Sequence, residues 1–249
     1  MTEQDRQRAI RLRLCRTQGA PGRLADPAIP TGFAALDAAL GGGLPRGRIL
    51  ELFGPPSCGK TTLALQAVAH LQRNGLTAGW IDVDHAFEPG YAGALGVSIE
   101  RLVVVQPAFA EEALEMARRL AASAAVDLLV VDSAAALVPR LELETAIGES
   151  GPGLQARVLA SGLRRLATEA ARAGAAVLFL NQLRGRLEAG EEETTAGGPS
   201  LKLYAAARIA LRPAPGARVR FRILKNKAAA AFAWGELEWT GARGFAESP

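Results

Sequence analysis

Nearly continuous apolar runs alternate along the chain with longer segments whose apolar positions repeat at helical spacing. The runs at 49–53, 78–83, 102–105, 128–131 and 175–180 read as strands buried on both faces. Between them, 60–72 reads as a helix closed by Asn74 and Gly75, 111–123 as an amphipathic helix, and 154–173 as a long helix closed by Gly174. Strands alternating with helices predict an α/β fold with a mostly parallel central sheet covered on both faces. After Gly198 the pattern changes to strand-like segments at 206–211, 219–224 and 235–239, which predict an antiparallel extension at one edge. Residues 19–30 are rich in Gly, Pro and Ala and read as a linker. Ahead of them, Ile10, Leu12 and Leu14 alternate with Arg11 and Arg13 as in a strand, yet Ile10 and Leu14 are also one helical turn apart. The organisation expected is a basic arm and linker at 1–30, a core at 31–240 and a tail at 241–249.

The 249 residues, 49% of them hydrophobic, suffice for one large domain with a substantial core. No apolar run is long enough for a transmembrane helix, and the Arg-rich N-terminus lacks the apolar stretch of a secretory signal. The two cysteines, Cys15 and Cys58, form no metal-binding pattern and suit a reducing cytoplasm. Charge is unevenly spread. Residues 1–23 carry six Arg against Glu3 and Asp5, so the rest of the +4 chain is neutral. Within that rest, Lys202, Arg208, Arg212, Arg218, Arg220, Arg222, Lys225 and Lys227 occur with no acid among them. Two basic segments on a neutral body suit a polyanionic partner; a solvated face is the alternative for each.

The first strand runs into Gly54-Pro55-Pro56-Ser57-Cys58-Gly59-Lys60-Thr61, followed by Thr62 and a helix. Phosphate binding needs backbone N–H groups converging on one small space. Glycines permit that path, and the helix that follows presents its positive end. In such a P-loop, Lys60 supplies charge to the β- and γ-phosphates of ATP, and the Thr61 hydroxyl coordinates Mg2+. A carboxylate ending a hydrophobic strand completes the metal site, and Asp132 after Leu128-Leu129-Val130-Val131 provides one.

Several motifs in fixed order then resemble the bacterial RecA recombinases: GPPSCGKTT, IDVDHAFEPGYAGALGV, VDLLVVDSAAALVPR, FLNQLRGR, ETTAGGPSLKLYAAAR and ILKNKAAAAF. The likeness spans residues 31–232. It implies a RecA-like P-loop NTPase core that binds single-stranded DNA, assembles into filaments or oligomers and hydrolyses ATP with DNA. It also implies roles. Tyr91 would stack on adenine. Gln182 would sense the γ-phosphate. Lys225 and Lys227 would reach the ATP of a neighbouring subunit. Residues 147–153 and 185–198, the latter ending in Gly197 and Gly198, correspond to two DNA-binding loops. Arg157, Arg164 and Arg184 match basic residues near the DNA; each lone Arg is also open to a plain surface reading.

The chain departs from the family at several positions. Asp84 stands where the family has the glutamate that activates water, one methylene shorter. His85 beside it reads as structural or as a substitute base. Cys58 replaces a Ser: a small residue tolerated in the loop, or a thiol with a lowered pKa. The second loop carries Glu188, Glu191, Glu192 and Glu193 against Arg184 and Arg186, with Leu187 its one large apolar residue. Gly151-Pro152 replaces a bulky residue of the first loop, Leu203 replaces a Phe, and no counterpart of the family's C-terminal domain is expected after Trp239. Two functions compete: a DNA-dependent ATPase of recombination and repair, and an accessory RecA paralogue similar to ImuA that regulates translesion synthesis through contacts with RecA or translesion polymerase components. A P-loop small-molecule kinase is a third, for which no Arg-rich lid is evident.

Overall fold

The computed structural model describes residues 27–146, 151, 153–183 and 194–247. The arginines of the N-terminal arm, Arg184, Arg186, Leu187 and the acidic cluster at 188–193 lie outside the described residues.

Among the described residues nine strands form one sheet: β3 (Ile49–Gly54), β4 (Ala78–Asp82), β5 (Leu102–Val105), β6 (Leu128–Asp132), β7 (Ala176–Gln182), β8 (Ala207–Ala214), β9 (Arg218–Asn226), β10 (Trp234–Trp239) and β11 (Phe245–Glu247). Their order is β11-β10-β9-β8-β3-β7-β6-β4-β5. Pairing is parallel from β8 through β3 to β5 and antiparallel from β8 outward to β11. Two short strands, β1 (Ala28–Ile29) and β2 (Leu44–Pro45), pair separately. The helices are α1 (Ala34–Leu40), α2 (Lys60–Arg73), α3 (Pro89–Ala94), α4 (Ala110–Ala122), α5 (Arg140–Glu144), α6 (Leu154–Ala173) and α7 (Ser200–Tyr204).

The continuous apolar runs are explained by two cores, one on each face. Leu128, Val130, Leu178 and Leu180 join the side packed by α2. Their neighbours Leu129, Val131, Val177 and Phe179 join the side packed by α4 and α6. Each such side chain contributes about 1.5–3 kcal/mol by leaving water, and with both faces covered no polar alternation survives.

The sequence pattern shows no strand after Trp239, but the structure places one there. Phe245 is buried, and β11 pairs with β10. The cause is a side chain far away in sequence. Gln66 on α2 donates to the carbonyls of Phe245 at 2.9 Å and Arg243 at 3.2 Å, and accepts from Phe245 N at 2.8 Å. These bonds supply from tertiary structure what three residues cannot supply by propensity.

Candidate nucleotide site

β3 delivers the chain to Gly54, and the loop turns into α2 at Gly59, whose φ is +90°. A Cβ at Gly59 would lie 2.3 Å from Phe245 Cζ, so both the backbone conformation and the space require glycine. Among the described residues no side chain caps the start of α2, which leaves its first N–H groups for an anionic ligand. Lys60 Nζ folds over the loop, donating to Pro55 O at 2.7 Å and Gly54 O at 3.2 Å.

Thr61 Oγ1 donates to Asp132 Oδ2 at 2.9 Å. The helix start and the end of the hydrophobic strand β6 therefore meet at one corner. Burial pushes the Asp132 carboxyl up to about 6, against the pull of the Thr61 hydroxyl, and the Asp84 and Asp82 charges push the same way. No group of three or more His, Cys, Asp or Glu that could hold a metal occurs among the described residues. Magnesium held with phosphates needs only one or two protein oxygens and keeps several waters, so a hydroxyl and one carboxylate fit it.

The topology explains how distant segments converge. β7 lies between β3 and β6 and places Gln182 level with Gly54. Gln182 is exposed beside the loop. At the end of β4, Asp82 accepts from Ala86 N at 3.0 Å, Phe87 N at 3.1 Å and Gln106 Nε2 at 2.8 Å. That clamp shapes the turn carrying Asp84 and His85. Asp84 is exposed, and Ser133 Oγ lies 3.4 Å from its Oδ1. Tyr91 on α3 shares a 2.7 Å hydrogen bond with Thr62 on α2. Cys58 is buried, and burial raises its thiol pKa despite Lys60 nearby, which favours the tolerated small residue over a reactive thiolate.

An open cavity of about 510 Å³ extends from Ser57–Thr62 to a largely apolar wall that includes Pro213, Val219, Trp239 and Phe245. Trp239 and Phe245 meet edge to face at 5.3 Å. Sequence reading missed this wall, because Phe245 reaches the loop only through the Gln66 clamp.

The remaining candidates fall elsewhere. Lys225 pairs in register with Arg208, and Arg208 with Glu51. Lys227 N bonds Ala206 O, and Ala206 N bonds Ile49 O. Lys225 thus sits level with Glu51 and Lys227 near the level of Ile49, two strands away from β3 and offset from Gly54 by roughly 10–16 Å along the strand direction. Lys225 Nζ donates to Lys202 O at 2.7 Å and Leu203 O at 3.1 Å. Its pKa is lowered by burial and by the neighbouring charges of Lys227 and Arg208. Arg157 and Arg164 are exposed on α6. Gly197 and Gly198, both at positive φ, pack so closely on α6 that a Cβ would lie 2.6 Å from Leu159 and 2.9 Å from Ala156. The basic run at 202–227 also divides. Arg208 is buried against Glu51, while Arg218, Arg220 and Arg222 share the exposed face of β9, the first two paired with Glu236.

A Gly-rich loop between a parallel strand and a helix, with a carboxylate from a second strand facing the loop's Thr, defines a P-loop NTPase core. The family model of the RecA N-terminal domain matches residues 22–246. Protein RecA of Chloroflexus aggregans is 48% identical over 87% of this chain and 65% of its own length. Protein RecA of Gloeobacter violaceus is 44% identical, covering 88% and 63%. That of Picosynechococcus sp. is 45% identical, covering 94% and 74%. The chain belongs to the RecA family, and it spans slightly less than two thirds of the first two relatives. No helix among the described residues is long and apolar enough to cross a membrane.

Proposed function

We propose that this chain binds ATP and Mg2+, binds single-stranded DNA, and hydrolyses ATP in response to DNA as part of recombination and repair. The observation that carries the reading is the 2.9 Å bond between Thr61 and Asp132, which joins the phosphate loop to a metal-holding carboxylate. The N-terminus of α2 and Lys60 would hold the phosphates, and Thr61 and Asp132 the metal, whose charge would offset that of the phosphates. Asp84 would orient or deprotonate the attacking water. Gln182 would report the γ-phosphate to DNA, a role supported by its level with Gly54. The wall of Trp239 and Phe245 offers a purine an apolar surface, with Tyr91 a second candidate for stacking.

Lys225 and Lys227 lie two strands from β3, at the levels of Glu51 and Ile49 rather than of Gly54, and Lys225 Nζ donates to Lys202 O and Leu203 O, which supports a role at the site of a neighbouring copy. Arg157, Arg164 and Arg184, with the loop ending at Gly197 and Gly198, would line the DNA path. The test measures ATP hydrolysis with and without single-stranded DNA, in wild type and Lys60→Ala. DNA-stimulated hydrolysis that Lys60→Ala abolishes is expected. Nucleotide binding with no response to DNA would instead place the chain in an accessory role.

A further inference from the structure

A polar network lies inside the sheet beneath the phosphate loop. Glu51, in the middle of β3, is fully buried, and so is Asn181 on β7. Arg208 Nε donates to Glu51 Oε2 at 2.6 Å. Asn181 Nδ2 donates to Glu51 Oε1 at 2.8 Å and to the carbonyl of Ala196 at 3.1 Å. The Asn181 Oδ1 accepts from Gln182 N at 2.8 Å. Ala196 N in turn donates to Gln182 O at 3.1 Å, and Leu183 bridges Thr195. The Arg208 guanidinium lies 4.6 Å from the centre of the Phe53 ring, and its Nη2 has no hydrogen-bond partner among the described residues.

Stability alone explains such a pair poorly. Taking two charges out of water costs about what their attraction returns, and apolar side chains of the same volume often serve the fold as well. What Glu51 does hold is Asn181, and Asn181 holds both Gln182 and Ala196. We propose that Glu51 is a positioning residue: through Asn181 it fixes Gln182 and the 195–196 segment against the strand that ends in the phosphate loop. Without it the Asn181 amide keeps its bonds to Ala196 O and Gln182 N but loses the one that ties them to β3. Gln182 would then lose its set position beside Gly54, although nothing in the phosphate loop has changed. The kinetic consequence rests on the proposed ATPase reading; the geometric one does not.

The experiment compares two double variants. Glu51→Leu/Arg208→Met removes the acceptor for Asn181. Glu51→Gln/Arg208→Met restores a carbonyl acceptor without the charge. Neither leaves a buried unpaired charge, so the fold is kept. In the Leu variant, DNA-stimulated kcat should fall about 10- to 100-fold, as for a misplaced group at an otherwise intact site. The KM for ATP should stay within about twofold, because ground-state binding is untouched. The Gln variant should recover most of kcat. Hydrogen exchange resolved at single amides supplies the second readout. The Gln182 and Ala196 amides should lose protection in the Leu variant and regain it in the Gln variant, while residues 49–54 stay protected. Equal kcat in the two variants, or protection lost evenly along the sheet, overturns the inference. If wild type shows no response to DNA, the ATPase reading fails, and the exchange pattern alone decides the positioning role.

Discussion

Replacing Asp132 by Asn separates the cost of this carboxylate from its use. Burial holds its pKa at about 6, well above the ordinary carboxyl value of 3.8. The folded chain therefore binds this proton more tightly than the unfolded chain does. The gap corresponds to about 3 kcal/mol. The stabilisation it represents is fully present below about pH 4 and is lost as pH rises through about 6. At neutral pH the folded protein carries the charge as a standing cost, relieved only by a bound cation. An amide carries no such cost and still accepts a hydrogen bond from Thr61. Without magnesium or nucleotide, Asp132→Asn should therefore be more stable than wild type at neutral pH by up to about 3 kcal/mol. Its stability should also change less between pH 4 and 6. The same variant should lose the magnesium dependence of nucleotide binding. Urea unfolding in excess chelator across this pH range reads the first effect, and nucleotide titration with and without magnesium the second. A variant no more stable than wild type at neutral pH, with the same pH slope, would show that the carboxylate carries no burial cost.

Gly59→Ala combines a positive φ with a clash against Phe245, so thermal unfolding should show a loss of about 2–3 kcal/mol together with weakened ATP binding; Phe245→Ala in the same chain should restore part of the binding, and no recovery would refute the clash. Asp84→Glu should raise the hydrolysis rate, since general-base assistance is worth about 10²- to 10⁴-fold and the longer arm reaches further. An unchanged or lower rate would mean that Asp84 is already well placed or takes no part. Mixing Lys60→Ala with Lys225→Ala/Lys227→Ala should return some ATPase activity, because some junctions then pair an intact loop with intact lysines. If wild type is active with DNA and the mixture is not, the site is not shared between subunits.

Much of this protein was written in short-range pattern. The run 128–131 reads as a doubly covered strand because every position is apolar, and Asp132 is the first charged position after it. Gly54 to Thr61 carried its chemistry in its spacing, since the loop's backbone path depends on where the glycines fall. Glu51 passes unremarked within the apolar run 49–53, and Arg208 reads from sequence only as one of a basic cluster. Each is a charge inside an apolar strand and so demands a partner, but nothing local says that the partner lies 157 residues away. Tertiary structure supplied that answer by setting β8 beside β3 in a register that faces the two. It also decided that Phe245, held through Gln66, walls the cavity beside the phosphate loop, and that Lys225 and Lys227 stand two strands from β3 at the levels of Glu51 and Ile49. Periodicity records which face of an element is dry. Which elements become neighbours, and in what register, depends on non-local pairing, and that settles where the buried charges, the cavity wall and the two lysines lie.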